Sequence, residues 1–277
     1  MAVFGAVGLF ALLLATWFAA FHVGLFEHAD RAILRGFADL HGRPHVDRVA
    51  QFIARLCDPN PYVYLCAVPV LVAVARRRLW VALAIVTILL GANVTTELLK
   101  PLLAQPRPSD LLGGPAPASA SWPSGHATAA MSLALSCVLA ASRRLRPAVA
   151  ALGAVFAVAV SYSFLTLQWH YPSDVFGGFL VAAIWTLLAL AAVFTANARR
   201  PEFAASELVQ RLSIREALGP PAVALLGAAG LAVLVAIARP DAVSAYVRAH
   251  EAFVVGAIAI AATGLALVTG IMLTLRK

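Results

Sequence analysis

Long apolar runs alternate with short polar stretches along the chain. A helix crosses a bilayer with about 20 predominantly apolar residues, and eight runs approach this length with few or no charges. The second run is short and contains Pro69, so we expect it to take extra turns from the segment before it. The eight predicted spans are Ala2–Phe26, Pro61–Ala75, Leu79–Leu99, Gly125–Ala141, Ala148–Leu167, Val175–Ala198, Pro221–Ala238 and Ala252–Leu275.

The composition agrees with this pattern. Of the 277 residues, 62% are hydrophobic and 12% are charged, and the mean hydropathy is +0.87. One soluble core of this length cannot bury so much apolar surface. We therefore predict an all-α, polytopic helical membrane protein, with residues 1–277 in a single membrane domain. The first run lacks a basic leader and a clear cleavage site, so we expect a retained helix rather than a signal peptide.

Residues 27–58 follow a different pattern, in which apolar side chains recur at spacings of three and four. This periodicity indicates two amphipathic helices, interrupted at Gly42, Arg43 and Pro44. We expect both to lie in the outer membrane interface, where they either cover the mouth of a site or simply pack. Their apolar positions are Ile33, Leu34, Phe37 and Leu40, then Val46, Val49, Phe52, Ile53 and Leu56.

Arginine clusters predict the orientation. If the N-terminus is cytoplasmic, the inner loops hold the arginine-rich runs 76–78 and 143–146 directly at helix ends, as the positive-inside rule requires. The net charge of +8 then reflects topology, and we expect no nucleic-acid partner. The predicted location is the bacterial inner membrane. Three cysteines without ligand-like spacing predict neither a disulfide framework nor a zinc site.

Six ionisable residues gather at the outer end of the third to sixth predicted spans. Inserting an ionised side chain at the centre of a span costs roughly 2.5–3.5 kcal/mol on insertion scales. Each such residue therefore indicates a partner or a function. Their shared location indicates one site on the periplasmic or extracellular side. They are Glu97, Lys100, Arg107, His126, His170 and Asp174.

Ser124 follows Pro123 and precedes the fourth span, so it is placed to cap that helix. A helix N-terminus offers free N–H groups and the positive end of a dipole, and Gly125 leaves room for a ligand to approach. His126 stands beside any anion held there. The same residues also fit an ordinary helix cap with an interfacial histidine.

His170 and Asp174 are four residues apart at the turn into the sixth span. At this spacing the carboxylate can hold one imidazole nitrogen and leave the other as a nucleophile or base. The alternative is a polar turn, in which Asp174 only favours a helix start.

Three motifs occur in order: Lys100 with Arg107 and Pro108, then Pro-Ser-Gly-His over residues 123–126, then His170 with Asp174. Together they resemble the type 2 phosphatidic acid phosphatase superfamily of membrane lipid phosphatases. The resemblance covers roughly residues 60–197 and implies a six-span phosphatase-like core. Residues 218–275, with two additional C-terminal spans, are not explained by it.

The resemblance also implies roles. His170 attacks phosphorus, Asp174 orients His170, and His126 protonates the departing oxygen, with no metal and no cofactor. Glu97, three residues before Lys100, pairs with that lysine and restrains it. The residues that bind the substrate phosphate are Lys100, Arg107, Ser124 and Gly125.

One position departs from the family, whose third motif begins Ser-Arg, whereas here Ser163 is followed by Phe164. Losing a phosphate-binding cation weakens transition-state binding by a few kcal/mol. Either another cation takes the place, from residues 27–58 or from Arg248, or the substrate differs in charge or shape. The third alternative is a weak or inactive relative.

The expected function is hydrolysis of a phospholipid phosphate or of an isoprenoid (polyprenyl) diphosphate within the lipid bilayer. Two alternatives stay open: a phosphotransferase that passes the phosphoryl group to another lipid or sugar, and a non-catalytic relative that binds a lipid phosphate. No pattern in the sequence predicts which lipid is the substrate or what the oligomeric state is.

Overall fold

The chain is all-helical in the computed structural model, which describes residues 2–105, 117–199 and 213–275. These residues form eleven α-helices and no strand, which confirms the predicted polytopic helical membrane protein. The helices are α1 Ala2–His22, α2 Gly24–Ala38, α3 Pro44–Arg55, α4 Pro59–Ala75, α5 Leu79–Leu102, α6 Gly125–Ala140, α7 Arg146–Thr166, α8 Pro172–Arg199, α9 Ile214–Ala238, α10 Pro240–Ala249 and α11 Glu251–Thr274.

Six of the described helices are long and apolar enough to cross a membrane: α1, α5, α7, α8, α9 and α11. The predicted spans 61–75 and 125–141 correspond to shorter helices, α4 with 17 residues and α6 with 16. At 1.5 Å per residue, α6 measures about 24 Å. It packs against α5, α7 and α8 and is buried along most of its length, so protein rather than lipid surrounds it.

The predicted first span is too long. The chain leaves the helix at Val23, whose backbone is extended (φ −120°, ψ 104°), and α2 begins at Gly24. Amphipathic α2 buries Leu34 and Phe37 and contacts α7, α8 and α11. The predicted break between the two amphipathic helices occurs at Gly42, where φ is +81°, a conformation that glycine adopts without strain.

The helix ends sort into two sides. One side holds the end of α5 and the starts of α6 and α8. It therefore carries Lys100, Ser124 and His170. On the opposite side, the α4–α5 turn meets the end of α6: Arg78 donates to the carbonyl oxygen of Ala140 at 3.2 Å. The candidate site and the arginine-rich turns are therefore at opposite ends of the bundle.

The C-terminal region contains three described helices: α9 and α11, both long and apolar enough to cross a membrane, and the short amphipathic α10 between them. This region joins α2: the Tyr246 hydroxyl donates to the carbonyl oxygen of Gly36, and His250 Nε2 lies 2.8 Å from Asp39 Oδ2. The added helices thus hold an amphipathic helix that also contacts the candidate site.

Candidate active site

The start of α6 is a capped helix N-terminus, as the sequence predicts. The buried Ser124 accepts the N–H of Ala127 at 3.3 Å through its hydroxyl oxygen. The Thr128 hydroxyl donates to the carbonyl oxygen of Ser124 at 2.9 Å and lies 2.9 Å from the hydroxyl of Thr96 in α5. These bonds fix the first turn of α6 against α5 and leave its first N–H groups directed at the site.

A backbone bond ties this turn to α8. The N–H of Ser124 donates to the carbonyl oxygen of Asp174 at 3.0 Å. Gly178 permits the approach, because a Cβ there would lie 2.6 Å from the carbonyl oxygen of Ser124 and 2.9 Å from the nitrogen of Thr128. The motifs that carry His126 and His170 are therefore in direct contact.

The turn before His170 ends α7 with two characteristic bonds. Trp169 N–H donates to the carbonyl oxygen of Phe164, and Gln168 N–H to that of Leu165, both at 3.0 Å. Gln168 has φ +60°, so this is the Schellman arrangement with glutamine in the left-handed position that glycine usually fills. The helix stops here, and His170 emerges next to the start of α8.

His170 and Asp174 form the predicted pair. His170 Nδ1 lies 3.3 Å from Asp174 Oδ2, and the same oxygen accepts the N–H of Tyr171 at 3.0 Å. Asp174 is fully buried and His170 nearly so. The carboxylate thus holds one ring nitrogen and leaves Nε2 available for chemistry.

The two histidines face the same space. Their ring centroids are 6.3 Å apart, close enough for one phosphoryl group to contact both rings. His126 Nε2 also lies 3.2 Å from Asp58 Oδ1, a contact that the sequence reasoning missed. Its only signal is that Asp58 is the last charged residue before a predicted span.

Lys100 extends over the start of α6. Its Nζ lies 2.6 Å from Glu97 Oε1, which is the expected pairing on α5. A Cβ at Gly125 would lie 3.1 Å from that Nζ and 3.2 Å from Glu97 Oε1. The glycine therefore leaves space for an ammonium group beside the free N–H groups of α6, an arrangement suited to an anion.

Two predicted site residues remain, Arg107 and Ser163. Arg107, with its neighbouring prolines, lies outside the described residues. Ser163 donates to the carbonyl oxygen of Ala159 at 2.7 Å, so its hydroxyl is engaged within α7 rather than with either histidine.

Phe164, near the end of α7, packs its ring against both histidines. Its buried ring stands edge-on to His170 at a centroid distance of 5.1 Å and lies 6.0 Å from the ring of His126. Of the arginines considered as replacements, Arg31 pairs with Glu27, and Arg248 bonds Ser244. The position is apolar.

The aromatic residues near the motifs are mostly internal. Trp122 and Tyr171 are 1% exposed. Trp122 packs against Gly177 of α8. Trp169 is 38% exposed, with its ring 5.5 Å from that of His126, so it is the aromatic placed at the entrance.

Comparison with known proteins finds a family whose members resemble this part of the chain. The sequence model of one protein family, described as the PAP2 superfamily, matches residues 79–198. The resemblance to the PAP2 superfamily is confirmed. A solved structure of a transmembrane PAP2-type phosphatidylglycerolphosphate phosphatase from Bacillus subtilis shares the fold, with 23% identity, a TM-score of 0.54, and coverage of 70% of this chain and 98% of that one. No curated protein matches the chain.

The PAP2 match contains most of the residues placed at the site, among them Lys100, His126, His170 and Asp174, but not Asp58. Within the described parts of the chain, no group of three or more His, Cys, Asp or Glu side chains is arranged to hold a metal ion. The chemistry available from the described side chains is that of two imidazoles, three carboxylates (Asp58, Glu97 and Asp174) and one ammonium group.

Proposed function

We propose that this protein is an integral membrane phosphatase that hydrolyses a lipid phosphate or polyprenyl diphosphate through a phosphohistidine at His170. The PAP2 match supports a phosphatase, and the span-length helices support a lipid substrate. The observation that carries the proposal is the convergence of two imidazole rings, 6.3 Å apart, beside the capped start of α6.

Substrate binding uses the start of α6. The N–H groups of Gly125 and His126 have no partner within the helix, and they bind phosphate oxygens together with the ammonium group of Lys100. Arg107 adds a second cation in this proposal. Fixed donors and cations stabilise the charge that spreads over the phosphoryl oxygens in the transition state.

The first step transfers the phosphoryl group. The lone pair of His170 Nε2 forms the N–P bond while the bond between phosphorus and the leaving oxygen breaks. The electron pair stays on that oxygen, which takes a proton from His126. Asp174 holds the opposite nitrogen of His170 and stabilises the positive charge that the ring acquires.

The second step restores the enzyme. Neutral His126 accepts a proton from water as the water oxygen bonds phosphorus, and the N–P bond breaks with its electrons returning to His170. One water is consumed, and phosphate and the dephosphorylated lipid are released. No metal ion takes part in either step.

The arginine-rich turns support an outer location for the site. They lie at the opposite end of the bundle from His170, and the positive-inside rule assigns such turns to the cytoplasm. We accordingly propose an inner-membrane protein with a cytoplasmic N-terminus and a site that opens to the periplasm or cell exterior.

The test is phosphate release by the purified full chain from a panel of lipid phosphates and polyprenyl diphosphates. We expect activity that survives a chelator, is inhibited by vanadate and is lost in His170→Ala. His28→Ala is the matched control, because this exposed histidine bonds, among the described residues, only Gly24 of its own helix. Loss of activity with chelator contradicts the mechanism, and labelled phosphate found on a second lipid identifies a transferase instead.

A further inference from the structure

We propose that Asp58 is a positioning residue that holds His126 as the proton donor to the leaving group. The inference rests on the proposed phosphatase function and deepens it. Asp58 lies outside the PAP2 match, which begins at residue 79, and outside all three motifs. It comes from the turn between α3 and α4, far from His126 in sequence.

The local sequence directs this carboxylate towards the site. Asp58 is the N-cap residue of α4, where an aspartate usually accepts the N–H of the second or third helical residue. Here the third helical residue is Pro61, which has no N–H to donate, so Asn60 is the one residue left to donate such a bond. Asp58 makes no side-chain cap bond, and its Oδ1 lies 3.2 Å from His126 Nε2 instead.

The position of the Asp58 backbone is well defined. The carbonyl oxygen of Asp58 accepts the N–H of Tyr62 at 3.0 Å, which begins α4. The hydroxyl of Tyr62 in turn lies 2.9 Å from that of Ser132 in α6. The turn that carries Asp58 is therefore connected to the helix that carries His126.

The charges around His126 explain why a carboxylate is needed. In the described part of the chain, the charged or titratable groups that act on this ring are Asp58, His170 and Lys100. Asp58 is the one anion among them, whereas Lys100 and a protonated His170 repel an imidazolium. When the ring carries its second proton, as a proton donor must, the Asp58 carboxylate offsets part of this repulsion.

The pairing also selects which ring nitrogen acts. When His126 Nε2–H donates to Asp58, the protonated ring carries its other proton on Nδ1, where no bond to another described residue is seen. That proton passes to the leaving oxygen as the P–O bond breaks. The arrangement mirrors the nucleophile, where Asp174 holds Nδ1 of His170 and leaves Nε2 to act.

The test uses two substrates that differ in their need for a proton. An alkyl lipid phosphate releases a poor leaving group, whereas 4-nitrophenyl phosphate releases one that departs without protonation. For Asp58→Asn in the full chain, we expect kcat/KM, which reports phosphoryl transfer and not the later hydrolysis of the phosphohistidine, to fall by about 10- to 100-fold for the lipid phosphate, part of the roughly 10²–10⁴-fold that general acid catalysis supplies. The kcat/KM for the aryl phosphate should stay near that of the wild type.

Two further variants separate positioning from a structural effect. Asp39→Asn removes a carboxylate that pairs with His250 and should leave both rates unchanged. In the His126→Ala background, Asp58→Asn should have no additional effect, because residues that act as a unit are non-additive. Equal losses with both substrates, or a full additional loss in the His126→Ala background, overturn the inference while leaving the phosphatase function intact.

A measurement without turnover completes the test. In protein labelled with ¹⁵N-histidine, the Nε2 signal of His126 should move in Asp58→Asn and stay in place in Asp39→Asn. An unmoved signal overturns the pairing whether or not the protein is a phosphatase. Absence of phosphate release by the wild type, together with a moved signal, contradicts the proposed function but supports the pairing.

Discussion

His170 Nδ1 lies 3.3 Å from Asp174 Oδ2, inside a site where the aspartate is completely buried. The carboxylate also accepts the backbone N–H of Tyr171, so it is fixed before substrate arrives. A buried carboxylate in this position holds the ring tautomer with the proton on Nδ1 and stabilises positive charge on the ring. In the proposed mechanism the nucleophilic nitrogen of His170 is then Nε2.

The first prediction concerns this pair. Asp174→Asn should lower kcat by about 10²–10⁴-fold with a smaller change in KM, because the amide can still accept the Tyr171 N–H but cannot stabilise a charged imidazole. Steady-state kinetics on a lipid phosphate in detergent provides the measurement. A variant that keeps more than half of the wild-type kcat, with unaltered thermal unfolding, contradicts the assigned role.

The second prediction concerns the space over the start of α6. Gly125→Ala places a methyl group about 3 Å from the ammonium nitrogen of Lys100 and from Glu97 Oε1. Both atoms are at the ends of flexible side chains, so the protein should fold normally while the cation is displaced from the phosphate site. We expect a roughly tenfold fall in kcat/KM, which corresponds to about 1.4 kcal/mol.

Gly178→Ala is the matched contrast. The added Cβ there meets the backbone of Ser124 and Thr128, which cannot move without disturbing the start of α6. We expect it to lower the free energy of unfolding by about 1–3 kcal/mol, measured by thermal unfolding in detergent. If Gly125→Ala destabilises the protein as much as Gly178→Ala does, its effect on activity is structural and the proposed anion site loses its support.

The third prediction concerns the departure at Phe164. Phe164→Arg places a cation next to both histidines, and a charge-assisted bond to phosphate is worth about 1.5–3 kcal/mol. We expect the ratio of kcat/KM for a diphosphate over a monophosphate to rise by at least about tenfold. Phe164→Leu, which stays apolar, should leave that ratio unchanged. An unaltered ratio in Phe164→Arg means that the substrate phosphate does not reach this position.

The fourth prediction concerns the contact between α2 and α8. Asp30 accepts the N–H of Ser173 at 2.8 Å and its hydroxyl at 2.5 Å, so a side chain of α2 caps the start of α8. Asp30→Ala should lower the free energy of unfolding by about 1–3 kcal/mol, since buried donors lose their acceptor. Asp241→Ala, at an exposed carboxylate in the first turn of α10, should change it little. Similar thermal unfolding of both variants contradicts the capping role.

The helices and the motif residues were predictable from the sequence for simple reasons. Apolar run length reports membrane helices directly, and antiparallel neighbours bring the end of one span near the start of the next. This is why Lys100, His126 and His170 could be assigned to one end of the bundle. The Ser124 cap and the Glu97–Lys100 pair were predictable because both are local contacts within a few residues.

Contacts between distant segments were not predictable in this way. Asp58 and His126 are 68 residues apart, and Asp30 and Ser173 are 143 apart. The amphipathic pattern of residues 27–58 identifies an apolar face, but it does not say which of the polar side chains turns inward.

The most direct measurement of the central claim is the detection of a phosphoryl group on His170. The purified protein is mixed with a lipid phosphate, quenched under alkaline conditions that preserve phosphohistidine, digested and analysed by mass spectrometry. We expect the peptide with His170 to carry the phosphoryl group, with more of it in His126→Ala if release by water becomes slower than transfer. Turnover without any phosphoryl group on His170, or full turnover by His170→Ala, contradicts the account.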